Sequence, residues 1–184
     1  AALMINIETG KTVYEKDSAK RLFPASAVKI MTGILVLESI TDLTEQLIVS
    51  DTAVADVMGN NIGLESGEVM SVSDLLYALL VGGANDAANV LAERVGGSIS
   101  GFVELMNKRA GELGCQDTHY TNPTGLHDDN MFTTASDVAL IGRRAYSLNT
   151  FMEITSTAKH TIPASNKNPS SRPILNRNHF VSQA

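Results

Sequence analysis

Ser26 stands three residues before Lys29 in the stretch FPASAVKIMTGILVLE, residues 23–38, where a turn gives way to an apolar run. A hydroxyl and an amine at this spacing can serve as nucleophile and base, provided the amine is neutral. On a helix, positions i and i+3 share a face, so the Lys29 amine can reach the Ser26 hydroxyl. A helix start adds unpaired backbone N–H groups and a partial positive charge, both suited to a developing oxyanion. Neutrality requires burial or a nearby cation to lower the lysine pKa. Phe23, Pro24, Val28 and Ile30 provide the apolar flanks for that. The same spacing also fits a plain helix start, with Ser26 as cap and the Lys29 stem lying along the surface.

Ser-x-x-Lys is a weak motif by itself, since at roughly 6–7% for each residue type about one arises by chance in a chain this long. Two occur here, Ser26–Lys29 and Ser156–Lys159, and only the first opens a long apolar helical pattern. A second polar element lies in VGGANDAANVLAE, residues 81–93, where Asn85 and Asp86 interrupt two apolar helical stretches. They fit either a junction cap or a substrate-contacting corner of a cleft. His119, His127, His160 and His179 are scattered without pairing, so no metal site is expected. His127-Asp128-Asp129-Asn130 reads as a solvated turn, and neither a phosphate loop nor a dinucleotide fingerprint is present.

The elements that must position these residues follow from pattern. Residues 2–16 read as a hairpin, with apolar β-favouring runs on either side of Glu8-Thr9-Gly10. Helical spacing of Ile30, Ile34, Leu35 and Leu37 follows Pro24. Residues 41–70 read as loop and turn. Helical pattern returns over 71–97, with Ser73 as the expected cap and Gly96-Gly97 as the stop, and with two helices meeting at Gly-Gly-Ala-Asn. Further helices are expected over 98–114 and 133–148, separated by the turn-rich 122–132, and residues 164–173 read as loop. A lone hairpin makes a poor sheet, so this one expects a helical cover or further strands.

With 184 residues and a 43% apolar fraction, the chain is of one-domain size with enough material for a core. Its 14 basic and 20 acidic residues, net −6, lack the basic footprint of a nucleic-acid binder or of a polybasic membrane contact. Cys115 is the single cysteine, which excludes an intrachain disulfide, and reads as a buried structural residue. No charged segment followed by an apolar one opens the chain, so no signal peptide is expected within it.

Taken in order, TGKTVYEKDSAKRLFPASAVKIMT, NNIGLESGEVMSVSDLLYALLVGGANDAANVLAE, GFVELMNKRAGELGCQDTHYTNPTGLHDDNMFTTASDVALIGR and LNRNHF resemble the D-alanyl-D-alanine carboxypeptidases, the low-molecular-mass penicillin-binding proteins of serine-peptidase type. The resemblance implies an α/β fold with an antiparallel sheet flanked by helices and a helical lobe, of which this chain holds the first strand pair and the helical part. It implies one incomplete catalytic domain over 1–184, with 1–16 as the sheet hairpin and 24–160 as a mostly helical lobe. Ser26 corresponds to the acylated nucleophile, Lys29 to the lysine that takes its proton, and Asn85 to the asparagine of a Ser-x-Asn motif that contacts the substrate backbone. The implied substrate is a peptidoglycan stem peptide ending in D-Ala-D-Ala, with β-lactams acylating the same serine and no cofactor, metal or nucleic acid involved.

Two departures accompany the resemblance. Gly83 stands in the substrate-binding motif where the family usually has Ser, removing a hydroxyl from the proton-relay network. General acid–base contacts commonly contribute about 10²- to 10⁴-fold in rate. The chain also reaches Ala184 before any Lys-Thr-Gly triplet, so the far wall of the cleft and any membrane anchor would lie in segments absent here. An envelope, extracytoplasmic setting is expected. Two other functions stay open at this point: a catalytically impaired relative that binds stem peptides without turnover, and a serine β-lactamase.

Overall fold

The computed structural model describes residues 1–182; Gln183 and Ala184, the end of the expected domain span, lie outside the described residues, as does the His179 side chain. Strands β1 (Ala2–Ile5) and β2 (Thr12–Lys16) pair antiparallel, with Leu3 opposite Glu15 and an irregularity between Met4 and Ile5. The turn between them is closed by Asn6, whose Oδ1 accepts from the Thr9 N–H at 2.8 Å and from its hydroxyl at 2.9 Å. β1 alternates as a half-buried strand should: Leu3 and Ile5 turn inward while Ala2 and Met4 face out. Helix α6 (Ala135–Tyr146) packs against it.

Helix α1 (Val28–Ser39) is the axis of the molecule. Val28, Met31, Ile34 and Val36 are fully buried, and Lys29 and Thr32 are buried with them. A helix apolar on most of its circumference belongs inside a bundle. Here α4 (Asn85–Gly96), α5 (Ile99–Glu112), α6 and α7 (Asn149–Thr155) surround it. Two core clusters result, one reaching from α1 through Phe102, Met106 and Ile141, the other through Leu75, Leu79 and Leu91.

The segment expected as loop over 41–70 contains strand β3 (Gln46–Ile48), the short α2 (Asp51–Val54) and β4 (Val69–Ser71), with β3 and β4 paired antiparallel. Three-residue strands are too short to display a two-residue period, which is why the pattern missed them. The cap of α3 (Val72–Tyr77) is Ser71 rather than Ser73: Ser71 Oγ accepts from the Asp74 N–H at 3.0 Å. After α3 the chain widens into a π-turn, Ala78–Gly82, and breaks at Gly83 before α4, as the Gly-Gly-Ala-Asn stretch predicts. Ser98 and Thr134 cap α5 and α6.

A third strand pair, β5 (Lys159–Ile162) with β6 (Arg172–Leu175), occupies the region expected as the end of the helical lobe and a loop. Ile162 and Ile174 are its buried face, and β6 lies against the π-turn. His160 Nε2 lies 2.7 Å from Asp74 Oδ1, and its ring stacks on Tyr77 with centroids 3.9 Å apart, fastening β5 to α3. The last described helix is α8 (His179–Ser182). Among the described residues, no helix is long and apolar enough to cross a membrane.

Candidate active site

Ser26 sits in a single 3₁₀ turn, Ala25–Ala27, that runs into α1 and keeps positions 26 and 29 on one face. Its side chain is exposed, whereas Lys29 one turn on is 6% exposed. Ala25, immediately before the serine, has φ of +47°, an unfavourable conformation for a residue with a Cβ. Gly125 explains how it is held: a Cβ built there would lie 2.0 Å from Ala25 O and 3.1 Å from Ser26 N. The turn 122–126 therefore presses directly on the backbone that carries Ser26.

That turn is rigid by its own chemistry. Asn122 Oδ1 accepts from the Thr124 N–H, the Thr124 hydroxyl and the Gly125 N–H at 3.1, 2.8 and 2.8 Å. Its backbone carbonyls then receive α1: Lys29 Nζ donates to Thr124 O at 2.5 Å and Thr32 Oγ1 donates to Pro123 O at 2.8 Å. Burial first, and then the Arg177 guanidinium, lowers the Lys29 pKa to about 8. The amine one turn from an accessible hydroxyl thus gives up its proton more readily than a free lysine does.

Asn85 opens α4 and is 5% exposed. Its N–H donates to Asn60 O at 2.8 Å and its Nδ2 donates to Met58 O at 2.7 Å, while its Oδ1 is buried without a partner among the described residues. A buried amide oxygen without a donor is costly unless something occupies it in the working state. Asp86, buried beside it, accepts from the N–H groups of Ile62, Leu64 and Ala87 at about 3 Å and fixes the loop that grips Asn85. Gly59 links this loop to the 122–126 turn, since a Cβ on it would be 3.0 Å from Asn85 Nδ2 and 3.7 Å from Leu126.

Gly83 has φ of +74° and ψ of +26°, the left-handed region that a glycine enters freely. It supplies shape to the site and no donor. Arg177, on the segment after β6, reaches over it. Ser26, Lys29, Asn85 and Gly83 are thereby joined through the neighbours they share: the 122–126 turn, the 58–64 loop and Arg177. Ser156 and Lys159 take no part, the first ending α7 and the second lying exposed in β5. His127 and Asp129 are exposed, 3.2 Å apart, in the solvated turn expected of them.

Sequence pattern singled out Asp86 beside Asn85 but missed Thr124, Gly125 and Arg177. The Asn-Pro-Thr-Gly run marks a turn, but nothing local says what that turn rests on. Cys115, expected to be buried, is only half-buried; burial, then the Asp137 carboxylate, pushes its thiol up to about 11.

Residues 1–184 match the protein family described as D-alanyl-D-alanine carboxypeptidase. D-alanyl-D-alanine carboxypeptidase DacF of Bacillus subtilis (strain 168) is 36% identical over 161 residues, covering 85% of this chain and 41% of that protein. The crystal structure of a D-alanyl-D-alanine carboxypeptidase from Mycobacterium tuberculosis H37Rv superimposes with a TM-score of 0.89 at 26% identity, covering 98% of this chain and 67% of that one. The Streptomyces K15 DD-transpeptidase gives a TM-score of 0.90 at 26% identity over 98% of this chain and 74% of its own. The chain thus has the fold of the penicillin-binding DD-peptidases. The chain belongs to the D-alanyl-D-alanine carboxypeptidase family and spans about two fifths of the length of the Bacillus relative it matches.

Proposed function

We propose that this chain carries the acylation machinery of a serine D-Ala-D-Ala carboxypeptidase acting outside the cytoplasm, in the bacterial cell envelope. The observation that carries the reading is Lys29: buried, held by Thr124 O and brought down to about 8, one turn after an exposed serine. The neutral amine takes the proton of Ser26 Oγ as the oxygen attacks the carbonyl carbon of the penultimate D-alanine. The carbon–nitrogen bond to the terminal D-alanine breaks, and the departing nitrogen takes up the proton now on Lys29. Water then attacks the Ser26 ester, returning the hydroxyl and releasing the shortened stem peptide. Every step balances with water as the only co-reactant. Asn85, with its amide oriented by Met58 O, contacts the substrate backbone.

A second reading, a stem-peptide binder without turnover, is favoured by Gly83, which offers no hydroxyl to the leaving nitrogen. The test is intact-protein mass after incubation with benzylpenicillin, beside Ser26→Ala. A single adduct on the parent and none on Ser26→Ala supports acylation at Ser26, and no adduct on folded parent favours the binder. Slow release of the adduct supports the peptidase, while turnover at catalytic rates would favour a β-lactamase.

A further inference from the structure

Asn60 is an exposed residue of the 58–64 loop whose side chain the acylation chemistry leaves unused. Its main-chain O accepts from the Asn85 N–H at 2.8 Å, and its Nδ2 donates to Gly82 O at 2.6 Å. One residue thereby grips the chain on both sides of Gly83, where the π-turn gives way to α4. Its Nδ2 also stands 3.6 Å from where a Cβ on Gly83 would lie. The π-turn ties the break from its own side, the Gly83 N–H donating to Leu79 O at 3.1 Å and the Ala84 N–H to Ala78 O at 2.9 Å.

Glycine at position 83 gives that grip its importance. A residue without a Cβ is the freest hinge a backbone can have, and this one lies two positions before Asn85. Helix α4 also starts without a side-chain cap, since Ala84 holds the N-cap position. The Asn85 N–H is one of the donors a helix start leaves without an intrahelical partner, and Asn60 O takes it. Water could satisfy an exposed amide equally well, so fixing the Asn60 side chain on Gly82 O contributes placement more than stability. We propose that Asn60 is a positioning residue: by spanning Gly82 to Asn85 it sets how the Asn85 amide meets the amide of the acylating ligand. The inference rests on the acyl-transfer reading above and adds to it a residue that acts through Asn85.

The experiment measures second-order acylation rates with benzylpenicillin and with 6-aminopenicillanic acid, by intact mass, on the full chain, Asn60→Ala, Asn60→Gln, Asn85→Ala and Asn60→Ala combined with Asn85→Ala. The second compound keeps the reactive ring and the carboxylate and has an amine where benzylpenicillin has its side-chain amide. A general loosening of the site lowers both rates alike, so their ratio isolates the contact with that amide. The expected ratio favours benzylpenicillin in the parent and falls roughly 10- to 100-fold in Asn60→Ala, the penalty of a misplaced contact. Thermal melting should stay close to the parent's, because the side chain is exposed. Asn60→Gln, which keeps the N–H donor on a longer stem, should fall in between. With Asn85→Ala already present, Asn60→Ala should leave the ratio where it stands, as residues acting through one contact do. A parent ratio near one, or a ratio unchanged in Asn60→Ala whether or not both rates drop, overturns the proposal. So does a fall of the same size in the Asn85→Ala background. A folded parent labelled by neither compound overturns the acyl-transfer reading itself, and this proposal with it.

Discussion

At the scale of single residues, the proposed acylation depends on Lys29 being uncharged often enough to act. Burial is the main cause of its lowered pKa and Arg177 the second, so the amine gains its free form as pH rises through about 8. Acylation of Ser26 should accordingly climb about tenfold per pH unit below that value and level off above pH 9, a profile read by mass spectrometry of the benzylpenicillin adduct. Lys29→Met should abolish the climb. Linkage gives a second sign: the folded pKa lies below the ordinary 10.5, so the folded state binds fewer protons than the unfolded one between the two values. Stability relative to Lys29→Met should therefore rise from pH 8 to pH 10.

At the scale of elements, Ser26, the proposed nucleophile, is placed by a turn a hundred residues away in sequence. The Asn-Pro-Thr-Gly-Leu turn is braced by Asn122, receives Lys29 and Thr32 on its carbonyls, and holds Ala25 at positive φ through a contact only glycine permits. Gly125→Ala must either break φ of +81° or push the Ser26 turn aside. Strain of this kind costs on the order of 1–3 kcal/mol, and a displacement near 1 Å at a reacting group about 10²-fold in rate. Thermal melting should show the first and the acylation rate the second. A variant that melts and acylates like the parent would mean the turn does not support the Ser26 backbone.

At the scale of the whole molecule, the β5–β6 pair has to stay fixed to the helical lobe for Arg177 to lie where it does. The His160–Asp74 contact and the buried pair between Glu68 and Arg172 are among the ties that hold it. Glu68 is fully buried, and burial alone would raise its pKa. Hydrogen bonds from Ser165 and Arg172 and from the Glu65 N–H outweigh that and hold it below the usual carboxylate value. Removing one partner strands the other charge, so Arg172→Met should destabilise by about 3–5 kcal/mol in chemical denaturation at pH 7. A carboxylate with a depressed folded pKa stabilises above its unfolded value and loses that contribution as pH falls. The gap between parent and Arg172→Met should narrow below pH 4.

Much of this architecture was legible in the chain itself. The hairpin around Glu8-Thr9-Gly10, the helix after Pro24 and the break at Gly-Gly-Ala-Asn all rest on short-range preferences, which a few neighbouring residues express fully. The Ser26–Lys29 spacing belongs to the same class, since both residues lie within one helical turn. The strand pairs β3–β4 and β5–β6 did not, because each strand is three or four residues long and gains its place from the surface it lands on. Nor could the sequence say whether Lys29 is a base or a surface cation. That depends on Thr124 O, 95 residues away, and on helices packed around α1 that remove water from the amine. Local order fixes which groups can meet; the dielectric and the partners that set their chemistry arise only when distant segments close around them.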